Sequence, residues 1–211
     1  MTRVPYKIAD EAAAKIITKL HREFRHNRLA LFDEMSVLGI KKHVTKLYNT
    51  VYKTIEKEFA KALIPISEEI YAEALEVGFD GEIEDLDESF IEEFFEEYNP
   101  VTKYVFKNEI GRKKSRLFES LVASTSEKAL SYKTAENLLT RQIKQYAVEL
   151  EDAVQKKVYK DLGVEKVKWV SENDYKTCGV CSELDGEIFP LFDAPPKQHY
   201  NCRCVLFPVK G

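Results

Sequence analysis

The chain has 211 residues, 44% hydrophobic and 32% charged, with 32 Lys and Arg against 36 Asp and Glu. That length buries a core without a staple, and the charge exceeds the ~25% of an average soluble domain. No apolar run approaches the ~20 residues of a membrane span, and the N-terminus lacks a secretory signal, so neither a membrane protein nor a secreted disulfide scaffold is expected.

The net charge of -4 conceals a strong asymmetry. Residues 1–50 carry ten Lys and Arg against five Asp and Glu, and residues 51–100 carry three against sixteen. Residues 101–150 return to ten against five. Basic and acidic surfaces are therefore separate, and the overall pI says little about partners.

From Tyr6 to about Arg28 the spacing of Ile16, Leu20 and Phe24 predicts a helix. Its Lys15, Lys19, Arg22, Arg25 and Arg28 lie mostly off that stripe, as a solvated face or one that meets phosphate or an acidic protein. Between Phe32 and Leu63, Val37, Ile40, Val44, Leu47, Val51, Ile55 and Phe59 step by three and four, predicting a long amphipathic helix with a change of direction at Gly39. Pro65 is expected to end or kink it, because proline removes a donor and clashes with the preceding turn. A further helix is expected from Ser67 to Val77, with Gly78 as its left-handed stop.

No Lys or Arg occurs between Ala62 and Thr102, whereas fourteen Asp and Glu fall from Glu68 to Glu97. Ile83, Leu86, Phe90, Ile91, Phe94 and Phe95 are interleaved at helical spacing, so an acidic amphipathic helix is expected rather than a disordered tail. The segment closes at Asn99-Pro100. The run from Gly111 to Arg116 is a basic cluster bordering a loop, and its Lys113, Lys114 and Arg116 are candidate phosphate contacts. A short helical pattern follows at Leu117 and Leu121. Glu127 to about Leu162 reads as another long helix, with Leu139, Ile143, Tyr146, Leu150, Val154 and Val158 on one stripe and Gly163 as its stop.

Beyond Gly163 the character changes. Val164 to Val170 alternates like a strand, Asp185-Gly186 is a turn before a second, and Cys204 to Phe207 reads as a third that Pro208 stops. All four cysteines lie here, as Cys178-x-x-Cys181 and Cys202-x-Cys204, with His199 three residues before Cys202. A Cys-x-x-Cys turn brings two thiolates to one tetrahedral ion, and a second pair some twenty residues later closes the site, which points to zinc. Two ligand sets are open: the four cysteines, or Cys178, Cys181, His199 and Cys202 with Cys204 packing behind. Cys202 and Cys204 share a face in a straight strand, so the first set is geometrically possible and is the one preferred here.

Catalysis is not expected. A catalytic zinc keeps an open position beside an acid or base. Glu183, Asp185 and Glu187 read first as turn residues. His21-Arg22-Glu23 with Cys178-x-x-Cys181 mimics a zinc deaminase, yet Thr177 stands where proline should precede the first cysteine.

Trp169, Asp174 to Cys181, Leu184-Asp185-Gly186, Pro196, His199 and Asn201 to Cys204 together resemble the C-terminal motif of the phage head morphogenesis family, the Mu F-like minor capsid proteins. The resemblance covers about the last third of the chain. It implies a minor head protein of a tailed phage or prophage, acting in the host bacterial cytoplasm during assembly and in the procapsid or virion interior. It also implies association with the portal protein and an influence on DNA packaging or ejection. Scaffold, major capsid protein and phage DNA are further candidate partners. Cys178, Cys181, His199, Cys202 and Cys204 become motif positions with an architectural role. The alternative function is a nucleic-acid-binding zinc protein that uses basic helical faces.

The expected fold is mainly α with a small C-terminal α+β module. Residues 1–163 form a helical body of four to six helices, and residues 164–211 a short antiparallel sheet stapled by zinc.

Overall fold

The computed structural model describes residues 5–34, 36–123, 127–172 and 177–210. Five helices make the body: α1 (Lys7–Asp33), α2 (Val37–Glu76), α3 (Glu88–Glu96), α4 (Phe106–Ala123) and α5 (Lys128–Asp161). A two-residue hairpin, β1 (Tyr98–Asn99) and β2 (Tyr104–Val105), separates α3 from α4. The terminal module holds β3 (Lys166–Val170), the short α6 (Gly179–Leu184), β4 (Ile188–Pro190) and β5 (Val205–Val209). Its sheet is antiparallel with β3 in the centre, so the mainly α fold with a small C-terminal sheet is as expected.

α1 and α2 form an antiparallel hairpin, with α1 ending at Asp33 and α2 beginning at Val37, so the change of direction precedes Gly39. The Ser36 hydroxyl accepts from the Gly39 amide at 3.0 Å and starts α2 there. Phe32 therefore belongs to α1. Across the hairpin Lys19 Nζ meets the buried Glu58 carboxylate at 2.8 Å, a bond joined by Lys61 at 3.0 Å.

Pro65 neither ends nor divides α2, and the helix expected from Ser67 is its continuation. The apolar stripe runs unbroken across the proline: Phe59, Leu63, Ile66, Ile70 and Ala74 are all buried. That packing outweighs the ~3 kcal/mol penalty of an interior proline. The Ser67 hydroxyl also donates to the Ile64 carbonyl at 2.8 Å, satisfying an acceptor in the disturbed turn. α2 does end at Gly78, which at φ 88 closes a left-handed cap in which Phe79 N donates to Ala74 O and Gly78 N to Leu75 O. Gly163, at φ 67, ends α5 with the same pair of bonds, from Val164 N to Tyr159 O and from Gly163 N to Lys160 O.

Of the acidic stretch, Glu68 to Glu76 belong to α2, and a separate helix forms from Glu88 to Glu96, capped by Asp87, whose carboxylate accepts from Ser89 N at 2.8 Å. Its aromatics find their place in a ring cluster. Phe95 stacks on Phe106 at 4.3 Å between centroids, and Phe106 meets Tyr146 edge-on at 4.4 Å. The acids face outward. The basic run at 111–116 sits in the middle of α4 rather than at a loop, because Ile110, Leu117 and Leu121 are buried and hold the helix down. β5 likewise runs through Pro208, opposite Val167, instead of stopping before it. It is an edge strand, where a missing donor is tolerated.

One continuous hydrophobic cluster links the helices to the module, from Ala9 and Ile16 through Val154 and Val158 to Val167, Trp169, Cys202 and Leu206. Among the described residues no helix is long and apolar enough to cross a membrane.

Pro65 is exposed, so Pro65→Ala loses no packing and restores an amide donor to the turn. Urea unfolding of that variant should show a gain of ~1–3 kcal/mol at unchanged m-value. A lower midpoint would show instead that Leu63 and Ile66 need the helix shape that proline imposes.

Candidate metal centre and its seat on α5

Two backbone knuckles build the cluster. Cys178 is the N-cap of α6, and its sulfur accepts from the Cys181 amide at 3.4 Å, folding the pair to one side. The second knuckle turns at Asn201, whose φ of 60 is tolerated by that side-chain type, and Cys202 N donates to His199 O at 3.2 Å. Cys202 and Cys204 precede β5 rather than lying in it. Asp174, Tyr175 and Lys176, part of the sequence motif, lie outside the described residues.

The two knuckles face each other. Cys181, buried, lies 3.6 Å from His199 Nε2 and 3.6 Å from the Cys202 sulfur. A tetrahedral zinc with Zn–S ~2.3 Å and Zn–N ~2.0 Å sets edges of about 3.8 Å between sulfurs and about 3.6 Å between sulfur and nitrogen. Both contacts thus fit the edges of such a polyhedron. Cys178, Cys181 and His199 form one group with ligand atoms within 4.8 Å of one another, and Cys181, Cys202 and Cys204 form another. Cys181 is the shared vertex. The cluster could hold a metal ion, and neither His21 nor Glu23 belongs to it.

His199 is already posed as a ligand. Its Nδ1–H donates to the Tyr200 carbonyl at 3.0 Å, which leaves the Nε2 lone pair toward Cys181 and raises the ring's pKa. The thiols conflict with one another in the absence of a cation. Burial pushes Cys181 up to about 12. A hydrogen bond from the Cys204 thiol draws Cys202 down to about 4, and Cys204, which gives that bond, rises far above the ordinary thiol range. A bound divalent cation removes the conflict by favouring thiolate at every ligand. A cavity of about 70 Å³ lies among Cys178, Cys181, His199, Cys202 and Cys204, and Glu172 on its rim is exposed.

The structure adds residues that sequence patterning missed. The polar side of α5 is buried beneath the module: Gln145, Glu151 and Gln155 are at most 3% exposed. Gln145 Oε1 accepts from Asn201 N at 2.7 Å, and Gln155 Nε2 donates to Leu206 O at 2.9 Å. Tyr6 N donates to Glu151 at 2.7 Å, while the Tyr6 hydroxyl donates toward Asp152 at 2.9 Å and Cys204 O at 2.7 Å. Lys197 Nζ joins them, 3.2 Å from Asp152 and bonded to both Tyr6 Oη and Cys204 O. Glu149 accepts from Gln145 and Asn99 beside a cavity of about 210 Å³, and burial pushes its carboxyl up to about 8. A buried polar residue every three or four positions along α5 was the available signal, but on a helix it reads as a solvated face.

Lys113, Lys114 and Arg116 do not form one patch. On a helix they fan through ~160° at about 100° per residue. Lys113 is bound to Glu109 at 2.8 Å, Lys114 is half-buried, and Arg116 is exposed. The neighbouring Arg112 lies over the Tyr104 ring at 3.9 Å.

Residues 114–207, from the middle of α4 into β5, match the family model described as Phage Mu protein F like protein. Over that stretch the chain is similar to that family. The match is to the family that the cysteine and histidine order suggested. It begins well before the metal-capable residues and takes in all of α5, so the Mu F-like region is the module together with the helix that seats it. Comparison with curated proteins and with solved structures finds no match.

Tyr6→Phe keeps the ring but leaves Asp152, Lys197 and Cys204 O without their shared hydroxyl. The expected loss is ~1–3 kcal/mol of stability in chemical denaturation. An unchanged midpoint would remove the hydroxyl from the set of groups that seat the module.

Proposed function

We propose that this protein is a minor head protein of a tailed phage or prophage, that it associates with the portal during procapsid assembly, and that it does so without catalysis. The observation that carries this reading is the Mu F-like match across α5 and the module. The crowded, mostly buried cluster adds to it, since its geometry suits a closed structural ion better than a reaction centre. Host cytoplasm during assembly and the procapsid or virion interior are the locations that go with this role. DNA packaging or ejection is the process it would influence, with scaffold or major capsid protein as additional contacts.

Within that role residues 164–211 act as a module whose core is completed by zinc. The ligands we assign are Cys178, Cys181, His199 and Cys202, with the Cys204 thiol hydrogen-bonded to Cys202 from behind. The ion would supply cross-linking of the two knuckles and nothing further. DNA contact through Lys113, Lys114 and Arg116 is the weaker reading, because Glu109 holds Lys113 and the three fan around α4.

Co-expression with the portal protein of the same phage or prophage should yield a co-purifying complex. Portal that elutes alone at micromolar concentrations of both proteins would refute the assembly role. For the metal, protein purified without added zinc should carry about one equivalent by elemental analysis. Cys181→Ser should abolish it, since Cys181 belongs to both ligand groups, whereas Cys204→Ser should retain it. A Cys204→Ser protein without metal, beside a His199→Ala protein that keeps it, would establish the four-cysteine set instead.

A further inference from the structure

The first half of α2 carries a surface that neither the metal centre nor the Mu F-like region uses. Residues 35–55 contain no Asp or Glu but four lysines, Lys41, Lys42, Lys46 and Lys53. All four are exposed, and among the described residues none makes an ion pair. They share a shallow groove with Leu38, Thr45 and Asn49. The opposite side of the same turns, Ile40, Val44, Leu47, Val51 and Ile55, is buried in the core, so the lysines all point outward on a rigid helix. From Lys41 to Lys53 the row is ~18 Å long at 1.5 Å per residue.

From this row we infer a binding site for the phosphate backbone of duplex nucleic acid. Three features choose that partner. The cations are all lysines, compact point charges that suit phosphate, with no arginine fork for bidentate carboxylate pairing. The side chains between them are Thr45 and Asn49, short hydrogen-bonding groups of the type that contact phosphate and sugar. Protein interfaces are depleted in lysine and centre on apolar or aromatic anchors, and here the exposed apolar side chains, Val37 and Leu38, lie at one end. A helix that inserts into a membrane surface would likewise need an apolar face. A row of ~18 Å is long enough to meet several phosphates where a duplex strand crosses it. The site reads charge and spacing, so it is indifferent to base sequence.

Fluorescence anisotropy with a labelled 25-base-pair duplex tests the site on the full chain. Four phosphate contacts give a slope of about -3.6 in log K against log salt, so binding should weaken roughly 100-fold between 50 and 200 mM salt. K41Q/K42Q/K46Q/K53Q should bind at least tenfold more weakly at 50 mM salt with a flattened slope. The double variant K42Q/K46Q should fall between the two, and K113Q/K114Q/R116Q should match the parent. All four lysines are exposed, and circular dichroism checks that each variant keeps its helices. The site is overturned if the parent does not bind at 50 mM salt, or if the quadruple variant binds as the parent does. Binding to phosphatidylserine vesicles but not to duplex overturns it equally, in favour of a lipid surface. None of these outcomes bears on portal association, which is measured separately.

Discussion

Lys197 reaches under the terminal module to a point where the Tyr6 hydroxyl, the Asp152 carboxylate and the Cys204 carbonyl converge. The Lys197 side chain is 7% exposed, and a buried cation without partners would be costly, so the groups around it are fixed as a set. With Lys197 itself they come from four places in the chain: the start of α1, the second half of α5, and the segments before and after Cys202. Satisfying that one charge sets the seat of the module on the body. It also places the carbonyl of Cys204 and the turn that carries His199 and Cys202. The cysteine cluster therefore inherits its geometry from a polar joint outside it.

α5 is the element that makes the joint possible. Leu139, Ile143, Tyr146, Leu150, Val154 and Val158 face the helical core, while Gln145, Glu149, Asp152 and Gln155 face the module. The helix is enclosed along much of its circumference, with one side dry and the other held by hydrogen bonds to loop and strand backbone. This division explains why one hydrophobic cluster continues from bundle to sheet although the two differ in composition.

Much of this was legible from the residues. The stripes of α1, α2 and α5, the two glycine stops, the three strands and the clustering of five metal-capable side chains all follow from local periodicity or spacing, which are properties of short windows. The errors were places where tertiary packing overrode a local signal. Pro65 reads as a break, yet Leu63 and Ile66 bury on either side and carry α2 through. The run at 111–116 reads as a loop because its charges crowd together, yet Ile110 and Leu117 anchor it as helix. The polar seat on α5 was not legible at all, because Gln145 and Gln155 are buried by residues fifty or more positions away. Periodicity distinguishes polar from apolar, and it cannot say which polar side a later segment will cover.

The Tyr6 hydroxyl and the Cys204 carbonyl are separated by 198 positions in sequence. Bringing such distant groups together removes a large share of the chain's freedom in one step, and that entropy is recovered only when the intervening helices have already condensed. The hairpin of α1 and α2, whose contacts are local, needs no such wait. The folding order that follows has the helical body forming first and the thiols meeting late, after their knuckles have been carried to α5. A cluster of metal-capable side chains assembled in that order is completed on a surface already shaped to receive it, which limits the time its cysteines spend as loose, reactive groups.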